Sequence, residues 1–131
     1  TLTGKLNYGD AARYLALGDI AVSPKLSDTE ANGKLFNYMA SGLPCVVFDN
    51  PINREILSGN AVYVEERSVE AFACGIEALL DFPERCGEIS IASREYAVAH
   101  HSWTARIEEF EKVYDALCGY KSPQARSSSL R

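Results

Sequence analysis

The sequence predicts an α/β fold: an open parallel sheet with flanking helices, followed by a helical C-terminal third. Short apolar runs at residues 19–23, 45–48 and 61–64 are each closed by turn-forming residues, as buried strands are. Between them lie stretches whose apolar residues recur at three- and four-residue spacing. Strands that alternate with helices in this way pair in parallel through right-handed crossovers. From Ser68 onward only the helical period remains.

Taken in order, residues 7–17 place Tyr8, Ala11, Ala12 and Leu15 at helical spacing. Asp19-Ile20-Ala21-Val22-Ser23 reads as a strand stopped by Pro24, and a polar loop follows through Asn32. Gly33 opens a helix that runs to Ala40 and is ended by Gly42 and Pro44. Cys45-Val46-Val47-Phe48 is the next strand, closed by Asp49-Asn50-Pro51, and a short helix spans residues 53–57. Ala61-Val62-Tyr63-Val64 is the third strand. Ser68 is an N-cap for a helix whose apolar face is Val69, Phe72, Ile76, Leu79 and Leu80. Pro83 starts a helix to about residue 99. Ser102 caps a last helix with the stripe Trp103, Ile107, Phe110, Tyr114 and Leu117, read as a packing face that can also dock onto a further domain.

Three strands are few beside the about five or six of a doubly wound sheet. The opening Thr-Leu-Thr-Gly also looks like the end of a strand, and the first residue is Thr rather than Met, as in an excised segment. The expectation is a Rossmann-like sheet with its N-terminal part truncated, in one domain over residues 1–120. Residues 121–131 are polar and Ser-rich, and are expected to form a disordered tail.

Composition narrows the function classes. With 47% hydrophobic and 24% charged residues, the chain is ordinary for a globular protein. Its net charge is −5, and because the last eleven residues hold three cations and no acids, residues 1–120 carry −8. A field of that sign disfavours broad nucleic-acid or anionic-membrane binding, so any anion must be held by local donors. Cys45, Cys74, Cys86 and Cys118 include no Cys-x-x-Cys pair, which argues against a zinc ribbon or thioredoxin-type site. Cys45 and Cys74 sit in apolar patterns that suit small buried side chains, and free thiols fit a reducing, cytoplasmic setting. The adjacent His100 and His101 point about 100° apart on a helix and read as helix-end residues rather than metal ligands.

Ligands of open α/β sheets bind beyond the carboxyl ends of the strands. The loop after residues 19–23 is longer than the about 2–6 residues usual between a strand and a helix. It delivers Asn32, Gly33 and Lys34 at a helix start, where free amides and the positive end of the dipole attract phosphate. Gly33 permits close approach, Lys34 adds a point charge, and Asp28 and Glu30 can accept hydroxyl hydrogen bonds from a sugar. The same residues also serve simply to begin a helix, with Asp28-Thr29-Glu30 as its cap. A Gly-x-x-x-x-Gly-Lys-Ser/Thr loop is excluded, since Asp28 precedes Gly33 by five residues and Leu35 follows Lys34. No strand is followed by Gly-x-Gly-x-x-Gly, which leaves little case for NAD or FAD.

The stretch Gly33-Lys34-Leu35-Phe36-Asn37-Tyr38-Met39-Ala40-Ser41-Gly42-Leu43-Pro44-Cys45-Val46-Val47 resembles the signature of glycosyltransferase family 4, which has the GT-B fold. Residues 19–24, residues 49–56 with Arg54-Glu55-Ile56, and residues 96–103 are similar to the family's flanking segments. The resemblance covers about residues 4–118. It implies the C-terminal, donor-binding domain of a two-domain enzyme whose N-terminal domain holds the acceptor and is absent here. It further implies a nucleoside-diphosphate sugar as substrate, linked to UDP, GDP or ADP, with no cofactor and no metal. The setting is cytoplasmic, with any membrane contact made by the absent half.

The family signature carries two glutamates separated by seven residues. The second aligns with Asn37 and is implied to bind ribose hydroxyls; the first aligns with Thr29, beside Glu30, and is implied to contact the donor sugar. The implied donor-binding set is Thr29, Ala31, Asn32, Gly33, Lys34, Leu35 and Asn37, with Glu30 as the catalytic candidate. Neither aligned position is a glutamate, and the family's basic diphosphate residues would lie upstream of Thr1. The leading expectation is therefore donor positioning for a retaining glycosyl transfer that this segment does not complete alone. A non-catalytic nucleotide-binding or interaction module and a nucleotide-sugar epimerase are the alternatives. A truncated sheet also leaves an edge strand through which a homodimer can form.

Overall fold

The computed structural model describes residues 2–118. The expected tail over residues 121–131 lies outside the described residues. The chain forms two compact units, Thr1–Val98 and Ala99–Arg131.

The first unit is the predicted α/β fold. A 3-10 turn (Tyr8–Asp10) leads into α1 (Ala11–Leu15), then β1 (Ala21–Ser23), α2 (Lys34–Ala40), β2 (Cys45–Phe48), α3 (Pro51–Leu57), β3 (Val62–Val64) and α4 (Val69–Leu80). Pro83 begins α5 (Pro83–His101). The three strands form one parallel sheet in the order β1-β2-β3, with Val46 opposite both Val22 and Val62. All three strands therefore end on one edge, at Ser23, Phe48 and Val64.

The sheet is covered on two faces, and the period-2 alternation of a strand divides β2 between them. Cys45 and Val47 join Leu35 and Met39 of α2, Ile56 and Leu57 of α3, and Ala97 of α5 in one core cluster. Val46 and Phe48 point the other way and pack with Val64, Phe72 and Leu79. The Phe48 and Phe72 rings lie 4.9 Å apart at 58°, a tilted aromatic pair. Gly75 brings α4 close to the strands: a Cβ there would lie 2.8 Å from Cγ2 of Val64 and 3.1 Å from Cγ1 of Val46.

The helix ends follow local chemistry. Asn50 caps α3 by accepting the Asn53 amide at 2.7 Å, with Pro51 in the first helical turn. The helix thus starts two residues before the 53–57 expected, because Asn50-Pro51 opens it as well as closing β2. Ser68 accepts the Ala71 amide at 3.1 Å, as expected of a cap. Gly42 at φ +69° ends α2 in the left-handed region, and α5 secures that end. Ser90 Oγ donates to the Gly42 carbonyl at 2.6 Å, and Arg94 donates to the carbonyl of Ala40.

Two polar contacts tie α3 to the strands. Asn53 Nδ2 donates to the Phe48 carbonyl at 2.8 Å. Arg54 clasps both Asp49 oxygens, at 2.8 and 2.6 Å, while its guanidinium lies 4.0 Å from the centre of the Tyr63 ring. This bidentate bond holds the Asp49 carboxyl below its ordinary 3.8.

In the second unit, Ser102 caps α6 (Trp103–Cys118), accepting the Ala105 amide at 3.2 Å. Arg106 reaches Glu109 at 2.6 Å and His101 Nδ1 at 3.1 Å. The stripe read as a packing face is exposed throughout, from 52% at Ile107 to 84% at Trp103. Helical spacing shows that a face is apolar, and it is silent on what covers that face. Among the described residues, no helix is long and apolar enough to cross a membrane.

The four cysteines are free, but they do not share one environment. Cys45 is fully buried, and burial pushes its thiol up to about 12 although the Lys34 ammonium acts in the opposite sense. Cys74, expected to be buried, is exposed instead. It stands two residues from Phe72, about 200° around α4, and so falls on the outer face.

Three outcomes are expected. Gly75→Ala is expected to destabilise the fold by about 1–2 kcal/mol in urea unfolding, because β-branched valines in a sheet do not give way and overpacking outweighs the helix-propensity gain. Native alkylation at about pH 8 is expected to modify Cys74 and leave Cys45 unmodified until unfolding, read by peptide mass spectrometry. The folded state binds the Asp49 proton less readily than the unfolded chain, so the Asp49–Arg54 contribution is present above the ordinary 3.8 and is lost as pH falls through the folded value. Asp49→Asn is therefore expected to be less stable than wild type at about pH 7, by a difference that narrows as the pH falls below the ordinary carboxylate range, read by urea unfolding.

Candidate functional site

Residues 24–33 leave β1 at the edge where all three strands end, the position at which open α/β sheets bind ligands. Residues 24–31 bury no side chain, so the loop's shape comes from hydrogen bonds rather than packing. Its far end is anchored inward. Asn32, 6% exposed, donates through Nδ2 to Ser23 Oγ at 2.6 Å, and Ser23 is fully buried. The last residue of β1 thus holds the residue that precedes the start of α2.

Within the loop, Lys25 Nζ lies 3.2 Å from both the Glu30 carbonyl and its carboxylate. Ser27 and Thr29 hydroxyls share a hydrogen bond at 3.3 Å, and the Thr29 amide donates to Ser27 Oγ at 3.4 Å. Arg67, in the turn between β3 and α4, reaches the loop from elsewhere in the chain. It donates to the Leu26 carbonyl at 3.2 Å and to Asp28 Oδ1 at 2.6 Å. Beneath the loop lies an apolar groove of about 470 Å³, lined by Pro24, Leu26, Phe48, Phe72 and Ile76 together with Arg67.

These contacts sort the sequence candidates. Gly33 and Lys34 are exposed at the first turn of α2, which carries no side-chain cap. Gly33 is followed by open space where a Cβ would stand. The first amides of a helix have no intrahelical partner, so this turn presents donors outward. Asn37 is exposed one turn further along, adjacent to Lys34 on the helix surface. It also lines a depression of about 190 Å³ with Tyr8, Ala12 and Leu15. Ala31 is exposed beside this group, while the Thr29 and Glu30 side chains are engaged with Ser27 and Lys25.

Two candidates face inward. The Asn32 side chain is spent on Ser23, and Leu35 is fully buried with its amide donating to the Asn32 carbonyl at 2.9 Å. What remains open at the helix start is Gly33, Lys34 and Asn37. Sequence reasoning missed Ser23 and Arg67. Each follows or ends a strand at the same sheet edge, and that shared edge is the signal that could have found them.

A family model described as glycosyl transferases group 1 matches residues 1–81, more than half of the 131-residue chain. No curated protein and no solved structure matches it. The matched span includes all three strands, the 24–33 loop, the uncapped start of α2 and Arg67. The chain therefore belongs to the group 1 glycosyl transferases.

Proposed function

We propose that this chain is the donor-binding part of a retaining glycosyltransferase of the GT-B type, and that the diphosphate of a nucleoside-diphosphate sugar sits at the start of α2. The observation that carries this reading is the open first turn of α2 at the carboxyl edge of the sheet, with Gly33 and Lys34 exposed and uncapped. Family membership supports it independently.

In the transfer, the bond between the anomeric carbon and the diphosphate oxygen breaks, an acceptor hydroxyl oxygen takes its place with retained configuration, and the hydroxyl proton passes to the leaving diphosphate. Negative charge builds on the leaving diphosphate. In this reading the amides of Gly33 and Lys34 and the Lys34 ammonium stabilise that charge at the positive end of the α2 dipole. Asn37 bonds the ribose hydroxyls as a neutral partner, weaker than a carboxylate would be. Glu30 meets the sugar hydroxyls, with Thr29 and Ala31 beside it. The acceptor is held by a separate domain. Asn37 in place of a carboxylate also favours a second reading, a nucleotide-binding module of the same family without turnover.

The chain is to be titrated with UDP-, GDP- and ADP-sugars while its amide resonances are followed. One of the three is expected to shift Gly33 and Lys34 selectively, and Lys34→Ala is expected to weaken its binding about tenfold, as loss of one charged hydrogen bond does. No shift at Gly33 and Lys34 under saturating concentrations of all three would remove the donor site from α2.

A further inference from the structure

We infer that Arg67 is a positioning residue for the 24–33 loop: it holds residues 26–28 in place at the carboxyl edge of the sheet, on the segment that leads into the first turn of α2. Its functional consequence rests on the donor-site reading above; the holding itself does not.

The loop needs such a holder. It runs ten residues from β1 to α2 without burying a side chain before Asn32, and its one large apolar residue, Leu26, is 57% exposed. Ordering a segment of that kind costs chain entropy that its own packing does not offset. The far end is fastened by the buried Asn32–Ser23 bond, and Lys25–Glu30 braces the loop internally. Neither contact fixes where the middle lies relative to the sheet.

Arg67 does. Its planar guanidinium donates from one nitrogen to the Leu26 carbonyl at 3.2 Å and from another to Asp28 Oδ1 at 2.6 Å. The two acceptors stand 41 and 39 residues away in the chain. Two donors in a rigid fork set both the position and the orientation of the segment, which a lysine's single rotating ammonium cannot do. The side chain also lines the apolar groove beneath the loop with Leu26, Phe48 and Phe72, so the loop rests over a gap instead of filling it. Collapse of residues 26–28 into that gap is the motion the fork opposes.

The pair is half exposed, at 41% for Arg67 and 46% for Asp28, so its loss is expected to leave global stability nearly intact. That separates positioning from folding. Amide hydrogen exchange of residues 26–33 and titration with UDP, GDP and ADP are to be compared in wild type, Arg67→Ala and Arg67→Lys.

In Arg67→Ala, exchange across residues 26–31 is expected to accelerate about tenfold with an unchanged unfolding midpoint. Affinity for the nucleotide that wild type binds is expected to fall about fivefold. Arg67→Lys keeps the charge and loses the fork, and its exchange is expected to stay close to that of Arg67→Ala. Unchanged exchange in Arg67→Ala would overturn the inference. So would full retention of wild-type exchange and affinity in Arg67→Lys, which would make Arg67 a plain cation. Faster exchange with unaltered nucleotide affinity would overturn the functional half. Faster exchange in a chain whose wild type binds none of the three nucleotides would support the holding by Arg67 and remove the donor reading instead.

Discussion

The structure depends on β2 being buried on both of its faces. Cys45, Val46 and Val47 have no exposed surface and Phe48 is 5% exposed, so each residue must meet an apolar partner above or below the sheet. That requirement forces α2 and α3 to one side and α4 to the other, and it aligns β1 and β3 along the hydrogen-bonding edges of β2. It also explains Gly75. A sheet face made of Val46, Val62 and Val64 is broad and stiff, and α4 approaches closely only where it carries no side chain. A parallel sheet covered on two faces leaves its carboxyl edge as the place where loops meet.

At that edge, structure is held by polar contacts between residues of little or no burial and a few fully buried ones. Ser23–Asn32 and Asn53–Phe48 use buried side chains to fix where each crossover begins. Arg54–Asp49 and Arg67–Asp28 are more exposed and shape the loops, the half-exposed Arg67–Asp28 pair with little contribution to stability. Such a division suits a group 1 glycosyl transferase. A rigid sheet provides the platform, and the 24–33 loop stays free of packing and is set by a few directional bonds.

The exposed apolar face of α6 follows a different logic. Trp103, Ile107, Phe110, Tyr114 and Leu117 repeat at alternating spacings of four and three, which places them on one side of the helix. Their exposure, together with that of Val113, makes this the longest apolar stripe on any helix described here. Local periodicity sets that stripe on one face of α6 and specifies no partner for it.

Much of this protein was determined by the sequence acting locally. Cys45-Val46-Val47-Phe48 reads as a strand because four apolar residues lie between a proline and an Asp-Asn-Pro stop, and its bounds match the structure. Ser68 and Ser102 act as caps because the hydroxyl and the amide it accepts are three residues apart. The length of the 24–33 loop and the Gly33-Lys34 helix start were legible for the same reason. What the tertiary structure alone decided involves residues far apart in the chain. Nothing near Arg67 announces that its guanidinium reaches Leu26 and Asp28, and nothing near Asn32 shows that its amide is spent on Ser23 instead of a ligand. Cys74 lies in an apolar run yet turns outward, because α4's rotation is set by Gly75 and Phe72 against the sheet. Local pattern selects which elements form and where they stop; which side chain faces which partner follows from how those elements are packed.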